Sequence, residues 1–167
     1  MRDGPVVLNN TPLVALWLLN RLELLRDLFG NVVIPTEVRT EFFAVNSADR
    51  EEALLAAPWI TVTALQSARQ ALVYTGLDEG EAAVLALAIE QNARLVVIDE
   101  RRARRYAKRL KLPLTGSLGL LLLAKERGLV AEIAPLLERL TAAGLYLSPS
   151  LIELVQKMAD EPTTDPS

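Results

Sequence analysis

Residues 76–104 read GLDEGEAAVLALAIEQNARLVVIDERRAR, and this stretch decides the fold class. Its first half, residues 79–92, is rich in Ala, Leu and Glu and predicts a long helix. The apolar run 95–98 then predicts a buried strand that ends at Asp99, and a basic helix is expected at 101–110. A buried strand between two helices is typical of an α/β domain whose mostly parallel sheet is covered on both faces.

The same alternation of strands and helices continues on both sides of this stretch. Four more short apolar runs predict strands, at 6–9, 32–34, 59–63 and 113–115. Thr11 is expected to be the N-cap of the first helix, with Pro12 in the first helical position. The chain therefore predicts an α/β fold along most of its length.

The composition suits one domain with a sizeable core. The chain has 167 residues, of which 51% are hydrophobic. We expect one domain at 1–160, with its core at about 5–130 and a C-terminal helical extension at 131–160, followed by a disordered tail at 161–167. Neither a signal pattern nor an apolar stretch long enough for a bilayer is visible, so we expect a cytoplasmic protein and no membrane contact.

The residue types that are missing exclude several kinds of chemistry. The chain contains no histidine and no cysteine, which excludes disulfides, zinc sites with His or Cys ligands, and Ser-His-Asp or Cys-His catalysis. A metal site would have to use oxygen ligands, which favours magnesium, manganese or calcium. The net charge of −3 argues against a surface that attracts nucleic acid everywhere, although it leaves room for a local basic patch.

Four acidic residues are candidates for a functional site: Glu41, Asp78, Glu81 and Asp99. Each also has a structural interpretation, because Asp78 and Glu81 are spaced as a capping box, Asp99 could cap the next helix, and Glu41 could be an ordinary surface acid. If Glu41, Glu81 and Asp99 instead converge, their mutual repulsion calls for a divalent cation. Such a cation would polarise a phosphodiester and activate water for hydrolysis. Spacing alone leaves both interpretations open.

Three segments carry a resemblance to a known family. They are VVLNNTPLVAL at 6–16, NVVIPTEVRTEF at 31–42, and the long segment 76–130, which contains LDEGEA, VIDERRAR and LTGSLG in that order. On these motifs the chain resembles the PIN-domain superfamily, in particular a branch of uncharacterised bacterial and archaeal PIN-like proteins. The resemblance implies a three-layer α/β/α sandwich with a mostly parallel central sheet. Many PIN domains are magnesium- or manganese-dependent ribonucleases, and many bacterial members are toxins that a small antitoxin neutralises.

The resemblance also implies a site for Mg²⁺ or Mn²⁺. Asn9 matches the first position, where the family has aspartate, and Glu41 matches the second, with Glu37 as the less favoured registration. Glu81 matches the third position, with Asp78 nearby, and Asp99 the fourth. Because an amide oxygen ligates a hard cation without supplying negative charge, asparagine at position 9 is expected to weaken metal binding.

Candidate substrate-binding residues follow the last acid in the sequence. The resemblance places Thr115 and Ser117 in a turn close to the acidic cluster, where their hydroxyls would orient water or phosphate. The predicted basic helix carries four cations on one face: Arg101, Arg104, Arg105 and Lys108. That face suits the backbone of single-stranded RNA. It could equally be a solvated helix or receive an acidic antitoxin segment, and the resemblance further implies a homodimer.

Two hypotheses of different classes follow from these observations. The leading one is a PIN-like metal-dependent endoribonuclease that acts as the toxin of a toxin–antitoxin pair. The alternative is a non-catalytic nucleic-acid- or protein-binding module that keeps the PIN architecture. A phosphatase or phosphoacceptor domain is less favoured, since it would need a nucleophilic aspartate at the end of the first strand, where the chain has Asn9.

Overall fold

A five-stranded parallel sheet forms the centre of the protein in the computed structural model, which describes residues 2–145 and 147–161. The strands are β1 (Gly4–Leu8), β2 (Val32–Pro35), β3 (Ile60–Thr63), β4 (Ala93–Val97) and β5 (Leu114–Thr115). The α-helices of the described residues are α1 (Asn10–Leu18), α2 (Glu23–Phe29), α3 (Thr36–Phe43), α4 (Ser47–Leu55), α5 (Glu79–Glu90), α6 (Arg101–Arg109), α7 (Ser117–Glu126), α8 (Ala134–Ala142) and α9 (Pro149–Met158). The predicted α/β/α architecture is confirmed, and every strand pairing is parallel.

The order of the strands places β1 beside the point where the chain changes direction across the sheet. The order is β3-β2-β1-β4-β5, so the chain first builds the sheet to one side of β1 and then returns to build the other. In the register of the central pair, Leu8 lies opposite Val97. The residues that follow these two strands therefore lie at the topological switch point, where open α/β sheets bind their ligands.

Helices cover both faces of the sheet. α5 packs on β1, β2 and β4 and contacts α6, whereas α1, α2, α7 and α8 pack together as the other layer. α3 contacts both α1 and α5, which places it across the carboxyl edge of the sheet. The core is strongly apolar, and Leu8, Leu13, Ile34, Phe42 and Leu85 are fully buried in it. Among the described residues, no helix combines the length and the apolar character needed to cross a bilayer.

The start of the first helix differs from the sequence prediction. The predicted N-cap at Thr11 is wrong, because α1 begins at Asn10 and the cap position belongs to Asn9, whose side chain makes no capping hydrogen bond. Asn9 still has an extended backbone, with φ −85° and ψ 173°, so β1 runs into α1 without an intervening loop. The asparagine side chain at the end of β1 is therefore left free for another purpose.

The middle and the end of the chain add features that the sequence patterns do not show. A 3₁₀ helix spans Ala68–Val73 and precedes α5. The predicted extended piece at 145–147 includes residue 146, which lies outside the described residues. Of the predicted tail, residues 162–167 lie outside them too, whereas Glu161 is buried and accepts a hydrogen bond from the backbone N–H of Ile133.

Candidate functional site

At the carboxyl end of β1, the side chain of Asn9 carries a buried hydrogen-bond acceptor that has no donor in the described residues. Asn9 is only 5% exposed, and its backbone N–H donates to the carbonyl oxygen of Val97 at 3.0 Å, so it lies beside the end of β4. Its Oδ1 atom is buried and has no hydrogen-bond partner among the described residues, and the same holds for Oδ1 of Asn10. Buried polar atoms are nearly always paired, so an unpaired acceptor at a switch point marks a place for a ligand or water.

Asp99, just beyond β4, is held in place by the start of α7. The backbone N–H of Ser117 donates to its Oδ1 at 2.8 Å, and the Ser117 hydroxyl donates to its Oδ2 at 2.5 Å. A carboxylate at a helix N-terminus is also stabilised by the helix dipole. Ser117 is thus brought to an expected site acid, but its hydroxyl contacts that acid rather than open solvent.

Gly116 makes this arrangement possible. A Cβ atom at position 116 would lie 2.5 Å from Oδ1 of Asp99 and 3.2 Å from a guanidinium nitrogen of Arg104. A side chain here would therefore displace the Asp99 carboxylate, and to a smaller extent the Arg104 guanidinium, from their positions near the helix start. Glycine at position 116 thus leaves room for the contact between Asp99 and Ser117.

The other acids form a row along the start of α5. Asp78 is the N-cap, and it forms a capping box with Glu81: the Glu81 N–H donates to Asp78 Oδ1 at 2.8 Å, and the Asp78 N–H donates to Glu81 Oε2 at 3.3 Å. Glu41 on α3 approaches the same helix start, because a Cβ on Gly80 would lie 2.6 Å from Glu41 Oε2 and 3.6 Å from Asp78 Oδ1. The capping interpretation and the site interpretation thus both describe Asp78 and Glu81.

The charges of this row act on one another. Burial raises the pKa of Glu81 to about 7, and the charges of Asp78 and Glu100 add to the rise. Burial of part of the carboxyl group and the charge of Asp78 raise the pKa of Glu41, although its side chain is exposed overall. Within the described residues no Lys or Arg forms a salt bridge with any of these acids. We name Glu41, Asp78, Glu81 and Glu100 the acid row.

Glu100 is the member of the acid row that the sequence reading missed. It is the N-cap of α6 and accepts a hydrogen bond from the backbone N–H of Ala103 at 2.9 Å, a role that the sequence had offered to Asp99. This hydrogen bond lowers the pKa of Glu100. The signal that could have revealed it is the pair of consecutive acids, Asp99 and Glu100, that follows β4.

The residues expected to form the metal site have the donor atoms that Mg²⁺ and Mn²⁺ require, but their side chains are not grouped around one position. The candidates are oxygen donors, as Mg²⁺ and Mn²⁺ require, and they combine a partnerless buried amide oxygen at Asn9 with acids that lack cationic partners. However, no group of three or more acidic side chains in the described part of the chain is arranged to hold a metal ion. Glu41 and Glu81 meet through Asp78, whereas Asp99 is bound to Ser117. Their convergence on one ion stays a prediction.

The predicted substrate-binding residues divide into two groups. Arg101, Arg105 and Lys108 are exposed at helical spacing and form one basic face of α6, whereas Arg104 is half-buried and donates to the carbonyl oxygen of Ile98 at 3.0 Å. The Thr115 hydroxyl faces α7, since a Cβ on Gly119 would lie 2.0 Å from it. Arg104 and Thr115 are therefore tied to the fold, and the three exposed cations remain free to meet a ligand.

Comparison with known proteins identifies the family. A family model described as a PIN domain, DUF3368, matches residues 5–161. Comparison with curated proteins returned no match. PIN domains are generally nucleases and typically use divalent metals. Because the match covers nearly the whole chain, and because the parallel sheet agrees with it, the protein belongs to the PIN-domain family DUF3368.

Proposed function

We propose that the protein is an endoribonuclease that cleaves single-stranded RNA at the carboxyl edge of its sheet. The observation that carries the proposal is the partnerless buried Oδ1 of Asn9, which lies beside the end of β4 at the switch point of a PIN-domain sheet. The acid row begins next to this point, and the basic face of α6 starts two residues after Asp99. The edge thus combines oxygen donors for a cation with cations for phosphates.

The chain's own residues have distinct parts in this proposal. Ser117 fixes Asp99 in one orientation, which pre-organises the carboxylate for its task. Arg101, Arg105 and Lys108 bind phosphates on the 3′ or 5′ side of the cleaved bond through charge attraction. Asn9, Glu41, Glu81 and Asp99, with Asp78 beside them, would hold Mg²⁺ or Mn²⁺. A bound ion would polarise the phosphodiester and lower the pKa of a water molecule.

The test is cleavage of an end-labelled single-stranded RNA of mixed sequence, with added Mn²⁺ and with EDTA. The RNA should be cleaved when Mn²⁺ is added and should stay intact in EDTA. Cleavage with Mn²⁺ should disappear in the Asp99→Asn variant. A thermal shift on manganese titration, lost in Asp99→Asn, would support the metal site independently of turnover. If neither cleavage nor a manganese-dependent shift occurs, the nuclease proposal is wrong.

A second candidate function is RNA binding without cleavage. It is favoured by asparagine at position 9 and by the lack of a three-carboxylate group among the described residues. This module would bind RNA equally well with Mn²⁺ and with EDTA, and its affinity would fall steeply with salt. Reversing Arg101 and Arg105 to glutamate should then weaken binding strongly, while Asp99→Asn leaves the affinity unchanged.

The proposed partners and biological role extend the same site. We propose that the protein is a cytoplasmic toxin of a toxin–antitoxin pair and that it forms a homodimer. The basic face of α6 would receive an acidic segment of the antitoxin. The toxin role predicts that expression arrests growth and that Asp99→Asn relieves the arrest. Light scattering in solution measures the oligomeric state, and a monomeric mass would contradict the dimer.

A further inference from the structure

A cleft of ≈ 450 Å³ adjoins the acid row, since Asp78 is among its lining residues. Its walls come from the 3₁₀ helix Ala68–Val73, the loop that follows it, and the first turns of α5. Those walls are mostly small or apolar, with Ala68, Ala71, Leu77 and Ala82 among them, and Tyr74 is the aromatic residue among those that line the cleft in the described chain. A cleft of this size and character suits a flat, largely apolar ring.

Three acids line the cleft: Glu37, Asp78 and Glu79. Neither carboxylate oxygen of Glu37 has a hydrogen-bond partner in the described part of the chain; Oε2 is moreover buried. The described lining contains no lysine and no arginine that could neutralise Glu37. Because an unpaired buried oxygen is costly, this carboxylate is best satisfied by a ligand that brings N–H donors into the cleft.

One wall of the cleft is joined to the basic helix. The Tyr106 hydroxyl of α6 donates to the carbonyl oxygen of Thr75 at 2.9 Å, and its ring packs edge-on against Tyr74 at 5.5 Å between centroids. Arg102 donates to the carbonyl oxygen of Gly76 at 3.4 Å. A polyanion that follows α6 therefore passes close to a cleft whose wall is tied to that helix and whose lining combines apolar residues with carboxylate acceptors. This combination fits a nucleotide strand better than a basic peptide, which α6 would repel.

We propose that this cleft is a base-binding subsite for guanine in single-stranded RNA, with Glu37 as the residue that reads the base. The inference rests on the proposed action on RNA and adds a specificity to it. Guanine is the natural base with two adjacent donors, N1–H and N2–H, and a carboxylate accepts both in parallel. Adenine and cytosine place an acceptor next to their amino group, and uracil flanks its single N–H with two carbonyl oxygens. Each of these would turn an oxygen or nitrogen lone pair toward Glu37.

The experiment measures binding rather than cleavage, so that it separates this inference from the nuclease proposal. Uridine octamers that contain one central guanosine, inosine or adenosine are titrated in EDTA and followed by fluorescence anisotropy. Inosine keeps N1–H and lacks the 2-amino group. The wild-type protein should bind the guanosine octamer about tenfold more tightly than the adenosine octamer, with inosine between them.

Two matched variants identify the residue responsible. Glu37→Gln removes the second acceptor and should abolish the preference for guanosine while the protein keeps its melting temperature. Glu79→Gln makes the same charge change at an exposed residue that lines the same cleft, and it should keep the preference. Loss of the preference in Glu37→Gln alone supports the proposal.

Three results would overturn it. Salt-dependent binding with equal affinity for all octamers removes the subsite and leaves the action on RNA intact. The absence of any RNA binding in EDTA also removes the subsite, and the cleavage assay with Mn²⁺ then decides the action on RNA separately. Competition by an arginine-rich peptide that depends on Glu37, without discrimination among the bases, would assign the cleft to a basic protein segment instead.

Discussion

The two edges of the sheet treat polar groups in opposite ways. At the amino edge, Arg2 donates to the Asn92 side chain, Asn92 donates to Asp3, and Arg94 donates to the carbonyl oxygens of Gly4 and Phe29. At the carboxyl edge, Asn9, Asn10 and Glu37 hold three of the five buried side-chain atoms that lack a partner in the described residues. Paired polar groups stabilise a fold, whereas unpaired ones at a switch point await a ligand. We therefore expect substitutions at the amino edge to act mainly on stability and substitutions at the carboxyl edge to act mainly on the proposed function.

The largest contrast is expected between two aspartates, one at each edge. Asp99→Asn should reduce RNA cleavage by about a hundredfold or more, because one unit charge at about 4 Å in an effective dielectric of about 20 contributes about 4 kcal/mol before desolvation. An asparagine can still accept from the Ser117 N–H, so the fold should persist. Asp3→Asn at the amino edge is the matched control and should cleave normally in the same initial-rate assay. Equal rates for both variants would refute the division of roles.

Two glycines test the same contrast through stability. A Cβ on Gly4 would lie 2.0 Å from the backbone oxygen of Gln91, which cannot move aside, so Gly4→Ala should lower the free energy of unfolding by about 1–3 kcal/mol. A Cβ on Gly80 meets the flexible end of Glu41 instead. Gly80→Ala should therefore leave stability unchanged or raise it by up to about 1 kcal/mol through helix propensity, while it displaces Glu41 and slows cleavage. Urea unfolding measures both free energies, and the reverse order would contradict the contrast.

Asn9→Asp sharpens the assignment of the carboxyl edge. The aspartate that the resemblance implies at this position would add one negative charge to the proposed donors, so the affinity for Mn²⁺ should rise about tenfold or more. Without metal, the buried charge should lower the melting temperature. Isothermal titration calorimetry measures the affinity, and Asn92→Asp at the amino edge serves as the control. An unchanged manganese affinity in Asn9→Asp would remove Asn9 from the metal site.

The smallest effect concerns the pH dependence of stability. Because the pKa of Glu81 is raised to about 7 in the folded protein, that protein takes up a proton more readily than the unfolded chain. The destabilisation caused by the charged Glu81 is thus present above pH 7, and it is relieved as the pH falls through the raised pKa of about 7 toward the ordinary glutamate value of 4.5. The metal-free protein should gain melting temperature between pH 8 and pH 5.5, and Glu81→Gln should reduce that gain. Parallel pH profiles would show that Glu81 is not responsible.

The sequence predicts the helices and strands that follow a regular apolar pattern, whereas it does not predict features that depend on contacts between distant residues. The apolar run before Asp99 identifies β4 because a buried strand consists of consecutive apolar residues. Spacing placed Arg104 on the face of Arg101 and Arg105, but only the folded sheet edge offers it the carbonyl of Ile98. The 3₁₀ helix has no apolar period, so the cleft that it lines could not be predicted.

The contact between Asp99 and Ser117 also sets the order in which the site can form during synthesis. Asn9, Glu41 and Glu81 leave the ribosome early, but Asp99 acquires its fixed orientation only after β5 has paired with β4 and α7 has begun. A growing chain that ends before residue 117 therefore holds every acid of the site without the group that fixes the last one. The ribonuclease proposed above would therefore complete its site only after residue 117 has been translated.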